Sequence, residues 1–317
     1  VSEQLLPIFW GKGANGKSTL INVMLALLGP DYAMKAAEGL LLSKGRESHP
    51  TEKADLFGKR FVATSETDEG RHLSEALIKD LTGGERQRAR RMREDFWEFN
   101  PTHKIALSTN HKPRVRDTGN GMWRRLRLVP FTVTFWDPDN PEEKAKGLPE
   151  ELKQDKRLSE KLATEMPGIF NWLIQGCLEW QRDGMTTPKA VMAATAEYRN
   201  AEDMIGRFVA ERCAVGRDFR VKASTFREAY ARWWEDFGEG DMPSPRKLWS
   251  ALTEYMDARN AHLESFPSNG TWYRGLMLQA QTNADASQED EAGGTEGSGA
   301  RKNGKPGIVV RIGRAKG

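Results

Sequence analysis

Gly11-Lys12-Gly13-Ala14-Asn15-Gly16-Lys17-Ser18 lies between two apolar runs, Leu5 to Trp10 before it and Ser18 to Leu28 after it. Glycines at Gly11, Gly13 and Gly16 let the backbone curl so that its amide hydrogens point inward, the geometry that cradles phosphate oxygens. Such a loop needs a strand before it and a helix after it, and the two apolar runs supply both. Gly29-Pro30 then stops the helix, whose positive N-terminal end faces the same anion. Gly11, Gly13, Ala14, Asn15, Gly16, Lys17, Ser18 and Thr19 are therefore the expected nucleotide-binding residues. Lys17 is expected on the β- and γ-phosphates and the Ser18 hydroxyl on a metal, so the cofactors are ATP and Mg²⁺.

Hydrolysis asks for more strands, each ending in a group that handles water or metal. Phe61-Val62-Ala63-Thr64-Ser65-Glu66 is an apolar strand closed by a carboxylate, with Glu66 the candidate to orient or deprotonate water. Ser65 stands where a second acid is usual, and with Ser18 and Glu66 it completes the expected metal set. Ile105-Ala106-Leu107-Ser108-Thr109-Asn110 is a third strand, and the Asn110 amide can hold the attacking water or sense the γ-phosphate. Arg124 and Arg125 open a further strand, Arg124 to Val133. Neighbouring strand residues point to opposite faces, so one arginine is expected to reach a nearby γ-phosphate and the other to be structural. Lys17, Glu66, Asn110, Arg124 and Arg125 are the catalytic candidates.

Charge is unevenly spread. The whole chain carries a net +3, yet between Arg71 and Arg127 there are 14 Lys+Arg against 7 Asp+Glu. A local excess of this sort points to a polyanion partner. Its densest part is Arg86, Arg88, Arg90, Arg91 and Arg93, in a strand pair that reverses around Arg93 to Asp95. Alternation puts Arg86, Arg88 and Arg90 on one face and Arg91 and Arg93 on the other. Charges of this kind also protect an edge strand from aggregation. Phe96 and Trp97 beside them favour contact with a nucleic-acid backbone.

Strands alternating with helices imply an α/β core over residues 1–136. Residues 137–199 read as a polar connector followed by helices, one of them with an apolar face of Phe170, Leu173, Ile174, Cys177 and Leu178. Residues 200–279 read as three helices and a β-pair turning at Ser268-Asn269-Gly270, the order of a winged helix. Residues 280–317 are too polar to build a core and are expected to be disordered. Cys177 and Cys213 are expected to be reduced and at least partly buried. No apolar stretch approaches the ~20 residues of a membrane span. A cytoplasmic location, that of the host cell for a phage or plasmid protein, follows as the expectation. The chain starts one strand ahead of the phosphate loop and is expected to be the C-terminal part of something longer.

Taken in order, GKGANGKST, VATSETDEGRHLSEALIKDLTGGERQRARRM, KIALSTNHKP and MWRRLRLVPF resemble the superfamily 3 helicases, specifically the helicase half of phage, plasmid and poxvirus-type primase–helicases. The resemblance is strong over Leu5 to Phe135 and weak over the winged-helix-like segment. It implies an AAA+-like P-loop core in a homo-hexameric ring, ATP bound between subunits, and 3′→5′ translocation on single-stranded DNA in the central channel. It also implies that Glu66 is the second-motif acid, Asn110 the sensor, and Arg124 or Arg125 the finger. The arginine hairpin matches the channel-lining DNA grip, although Arg93-Glu94-Asp95 occupies the tip where relatives carry a lysine. The expected activity is an ATP-dependent DNA helicase in replication of a phage, plasmid or integrated element, with a primase domain or other replication proteins as partners. Two alternatives are a different ring motor and an initiation or recruitment module that uses nucleotide as a switch.

Overall fold

A computed structural model describes residues 2–43, 50–66, 68–116, 119–238 and 241–279. The chain divides into two compact units, one ending at Asp203 and the other starting at Met204. The tail expected to be disordered, 280–317, lies outside the described residues.

In the first unit, β1 (Leu6–Trp10) leads through the glycine-rich loop into α1 (Lys17–Tyr32), β2 (Ala33–Lys35) and α2 (Pro50–Ala54). β3 (Phe61–Glu66), α3 (Glu75–Thr82), β4 (Gln87–Ala89), β5 (Trp97–Phe99) and β6 (Lys104–Thr109) follow. Next come α4 (Asn120–Trp123), β7 (Leu126–Pro130), α5 (Pro141–Ala145), α6 (Leu158–Thr164), α7 (Met166–Asp183) and α8 (Lys189–Glu202). Five strands form one parallel sheet in the order β2-β3-β6-β1-β7. Its central strands are buried on both faces, as parallel sheets covered by helices are. Leu6, Ile8, Val62, Ile105, Leu107, Leu126 and Leu128 form its apolar heart.

In this unit four elements depart from the sequence reading. β2 was expected to be part of a helix and loop. Its Ala33–Lys35 is too short for periodicity to reveal, and it is an edge strand paired only with β3. α1 breaks at Gly29 (φ 66°, ψ 174°), where expected, but one further turn carries it to Tyr32. The arginine pair does not open a strand: Arg124 caps α4, and β7 begins only at Leu126. α7 forms, but its apolar side is exposed, with Phe170 at 49% and Leu178 at 52%. Cys177, on that helix, is exposed rather than partly buried. Cys213 is buried, and burial pushes its thiol up to about 12.

α8 is integral to the sheet unit. The Leu128 amide donates to Thr195 Oγ1 at 2.9 Å, and the Val115 amide donates to Glu202 at 2.8 Å. Tyr198 is fully buried, donates its hydroxyl to the Pro113 carbonyl and meets Trp123 edge-on at 5.2 Å. Tyr198→Ala would empty that space and is expected to cost about 3–5 kcal/mol, read as a lower denaturant midpoint. Tyr198→Phe, which keeps the volume, should lose only about 1 kcal/mol.

The second unit runs α9 (Met204–Arg212), β8 (Cys213–Lys222), α10 (Ala223–Phe237), α11 (Pro245–Asp257), β9 (Glu264–Pro267) and β10 (Thr271–Leu278). β8 is the strand the sequence reading missed. Gly216-Arg217-Asp218 reads as a turn, but the chain bulges there: pairing with β10 jumps from Val215↔Leu276 to Arg220↔Arg274. The sheet is antiparallel in the order β8-β10-β9, and Asn269 (φ 48°) and Gly270 (φ 113°) make its turn. One face packs on a core of Phe208, Phe226, Tyr230, Trp233, Leu248 and Leu252.

Candidate functional site

Register brings the site together. Trp10 of β1 lies beside Thr109 of β6, and Thr109 lies beside Glu66 of β3. The three strands therefore finish on one line, at ~4.8 Å per strand. The residues that continue from that line are the phosphate loop, Asn110 and the end of β3 itself. Thr109 Oγ1 donates to the His111 carbonyl at 2.6 Å and accepts from the His111 amide at 3.2 Å. This side-chain turn bends the chain beside Asn110.

The loop has the backbone a phosphate cradle needs. Gly13 (φ 115°), Ala14 (φ 44°) and Gly16 (φ 86°) are all left-handed, and successive residues of this kind turn amides into one concavity. No side chain caps α1, so its first-turn amides at Lys17, Ser18 and Thr19 face the same space. Ser18 is exposed and Thr19 half-buried. A Cβ at Gly11 would stand 2.3 Å from both Asn15 Nδ2 and the Phe131 carbonyl oxygen, which makes glycine obligatory there.

Lys17 is 5% exposed. Its ammonium donates to the Gly11 carbonyl at 2.5 Å, to Asn15 Oδ1 at 2.9 Å and to Asn110 Oδ1 at 3.2 Å. All three acceptors are neutral, so the charge is held but not balanced. Burial lowers the amine's pKa. A buried cation of this kind fits a polyanion. Asn15 in turn donates to the Phe131 carbonyl at 3.1 Å, and the Phe135 amide donates to the Ala14 carbonyl at 2.8 Å. The chain after β7 thus clasps the loop from outside. Nothing in the residue types around Phe131 announces this, because the contacts are made by backbone.

Glu66 is 4% exposed, and its Oε1 accepts from the Asp68 amide at 2.9 Å. Ser65 precedes it on the strand and so leaves on the opposite face. Among the described residues no cluster of three His, Cys, Asp or Glu side chains gathers. From that opposite face Ser65 does not join the expected metal set, and Ser18 and Glu66 remain as oxygen donors of the kind Mg²⁺ takes, few in number with waters completing the shell.

Arg124 and Arg125 lie at the other end of the sheet. The Leu6 amide donates to the Arg125 carbonyl, and β1 then runs to Trp10 before the loop begins. Five strand residues at ~3.3 Å each put about 16 Å between them and the phosphate site of their own chain. The two differ in burial. Arg125 is 8% exposed and donates to Thr82 Oγ1 at 3.2 Å, to Gln4 Oε1 at 3.2 Å and to the Gly121 carbonyl. Burial and the neighbouring Arg124 charge lower its pKa. Arg124 is exposed and donates to Gln4 Oε1 at 2.7 Å. Gln4 is the positioning partner that sequence reasoning missed.

The arginine-rich segment is a hairpin. β4 and β5 pair antiparallel, Gln87↔Phe99 to Ala89↔Trp97, and the tip reverses through Arg93 at φ 62°. Gln87 and Ala89 are buried, whereas Arg86, Arg88 and Arg90 are exposed on the other face. Arg88 and Arg90 lie over the Phe96 ring, 4.5 and 4.9 Å from its centre. Arg91 and Arg93 are exposed in the tip beside Met92, which is 77% exposed.

A family of unknown function (DUF5906) matches residues 9–125, the stretch from the loop strand to the arginine pair. "Putative helicase L207/L206" of Acanthamoeba polyphaga mimivirus is 28% identical over 272 residues, covering 83% of this chain and 28% of the relative. "Putative primase C962R" of African swine fever virus is 26% identical over 246 residues, covering 74% and 25%. "Putative helicase 022R" of Frog virus 3 is 26% identical over 239 residues, covering 71% and 24%. A solved structure described as "The A form apo structure of NrS-1 C terminal region-CTR" aligns at TM-score 0.40 and 12% identity, over 87% of this chain and 67% of that one. The chain spans about a quarter of the length of these curated relatives, which are proteins of large DNA viruses bearing helicase or primase names.

Proposed function

We propose that this chain is the ATP-hydrolysing motor of a replicative DNA helicase of the superfamily 3 type, with an AAA+-like P-loop core. One observation carries the reading. Lys17, at the head of an uncapped helix, is buried with neutral acceptors only, and one of them is Asn110 at the end of the adjacent parallel strand. Both the cradle of left-handed residues and the unbalanced cation ask for a triphosphate. Bound Mg²⁺ would neutralise phosphate charge, held by Ser18 and, through water, near Glu66. Glu66 orients the attacking water, and Asn110 exchanges its bond with Lys17 for one to that water or to the γ-phosphate. Arg124 serves a neighbouring subunit, which makes the working form an oligomer, taken here as a hexamer.

The hairpin arginines grip single-stranded DNA, and translocation is 3′→5′. The helicase and primase names of the viral relatives support a place in DNA replication. The second unit is read as winged-helix-like, because its order of helix, strand, two helices and a β-hairpin is that of such domains.

The test is ATP turnover with and without oligothymidylate at low salt. DNA should stimulate the parent protein, and Arg88→Gln/Arg90→Gln should remove the stimulation. Two lost phosphate contacts should also flatten the salt dependence of binding by about 1.4 in log–log slope. Turnover indifferent to DNA would overturn the helicase reading while leaving an ATPase.

A further inference from the structure

The second unit is almost neutral over 204–279, with 11 Lys+Arg against 10 Asp+Glu. Its charge is nevertheless sorted by face. α11, the helix that would enter a groove in a winged-helix reading, turns one exposed stripe of Lys247, Ser250, Glu254 and Asp257 to solvent. With Arg246 also exposed in the first turn, two bases and two acids leave this helix without net charge to attract a phosphate backbone.

The sheet does the opposite. Val221 and Tyr273 pack against the core, so alternation sends Arg220 and Lys222 of β8 and Trp272 and Arg274 of β10 to the outer face. Phe266 and Glu264 of β9 pair with Trp272 and Arg274 and share that face. Two rows run across it, Lys222–Trp272–Phe266 and Arg220–Arg274–Glu264. Arg220 and Arg274 are directly opposite each other and both exposed. Like charges in that position destabilise a sheet. Glu264 takes Arg274 at 3.2 Å, and Arg274 lies 4.9 Å over the Phe266 ring, but neither contact reaches Arg220. His262 stands 3.6 Å from the same Glu264. A phosphate between the two arginines would turn their repulsion into attraction.

We infer that this outer sheet face binds single-stranded nucleic acid, with Arg220, Lys222 and Arg274 on phosphates and the half-buried Trp272 and Phe266 as stacking partners for bases. Sheets that carry aromatic side chains among cations favour unpaired bases, because each base offers a ring face that a duplex hides. The surface belongs to the second unit and the arginine hairpin to the first, and the inference does not depend on the ATPase reading.

The test is fluorescence anisotropy of the full chain without nucleotide, in an Arg86→Gln/Arg88→Gln/Arg90→Gln/Arg91→Gln/Arg93→Gln background so that the hairpin arginines do not contribute. Three labelled probes of equal length are compared: oligothymidylate, an abasic strand and a blunt duplex. Oligothymidylate should bind tightest, and loss of its bases should weaken binding roughly fivefold or more. Arg220→Gln/Lys222→Gln, which removes no packed group, should weaken it about tenfold and lower the salt slope by about 1.4. Arg246→Gln/Lys247→Gln on α11 should leave affinity unchanged. The inference fails if Arg220→Gln/Lys222→Gln binds like its parent, if the abasic strand binds as well as oligothymidylate, or if the duplex binds best. An ATPase that proves insensitive to Arg88 and Arg90 leaves each of these outcomes readable.

Discussion

Lys17→Met is expected to reduce ATP hydrolysis to background while the protein stays folded. Lys17 is the buried lysine of the phosphate loop, whereas Lys12 is exposed, and the Lys17 ammonium reaches Gly11, Asn15 and Asn110. On the proposed function, removing it takes away the charge that would meet the β- and γ-phosphates, in a site shielded enough for that charge to matter. The fold should tolerate the change, because methionine fills similar volume and a buried, unbalanced cation costs stability. Two measurements separate the effects. Saturating nucleotide should raise the melting point of the parent, by about 2.7 kcal/mol of stabilisation at a hundred times Kd, and should not raise that of the variant. The second is pH. Burial lowers the Lys17 pKa below that of the unfolded chain, so the unfolded state binds the proton more tightly. Parent stability should therefore gain a contribution as pH rises between those two values, and Lys17→Met should lack it. A variant that still turned over ATP at the parent rate would remove the phosphate loop from the chemistry.

The parts legible in the sequence are those in which local chemistry and tertiary structure agree. Leu5 to Trp10 is apolar and ends at a glycine-rich loop, and β1 forms there. Phe61 to Glu66 and Ile105 to Thr109 are apolar strands closed by polar residues, and register alone then lines up Glu66 with Thr109. The illegible parts depend on distant partners. β2 exists because β3 offers an edge, not because Ala33-Met34-Lys35 prefers extension. β8 contains Gly216-Arg217-Asp218, a turn signal that β10 overrides by pairing on both sides of it. Sequence likewise placed Cys177 on an apolar helix face but could not tell that the described residues leave that face exposed.

The arginine pair is the sharpest case, since two identical neighbours share Gln4, yet Arg125 turns inward to the distant Thr82 and to the Gly121 carbonyl while Arg124 stays exposed. Those contacts divide the expected consequences of mutation. Arg125→Ala removes the bonds to Thr82, Gln4 and Gly121, of which only Thr82 is buried, and should lower stability by on the order of 1–3 kcal/mol. Arg124→Ala removes an exposed side chain and should leave the melting point within a degree or two. On ATP turnover it should fall by about 10³-fold or more, the range for an arginine that neutralises transition-state charge. At about 16 Å along the sheet from its own loop, Arg124 can have that effect only in a neighbour's site. Mixing decides the point. Lys17→Met subunits keep the arginine and Arg124→Ala subunits keep the loop, so about a quarter of the head-to-tail interfaces in a random equal mixture regain both. Activity should appear in the mixture that neither variant has alone, and it should vanish on dilution below the assembly concentration. A mixture that stays inactive, with each variant assembling normally, would mean that Arg124 does not act across an interface.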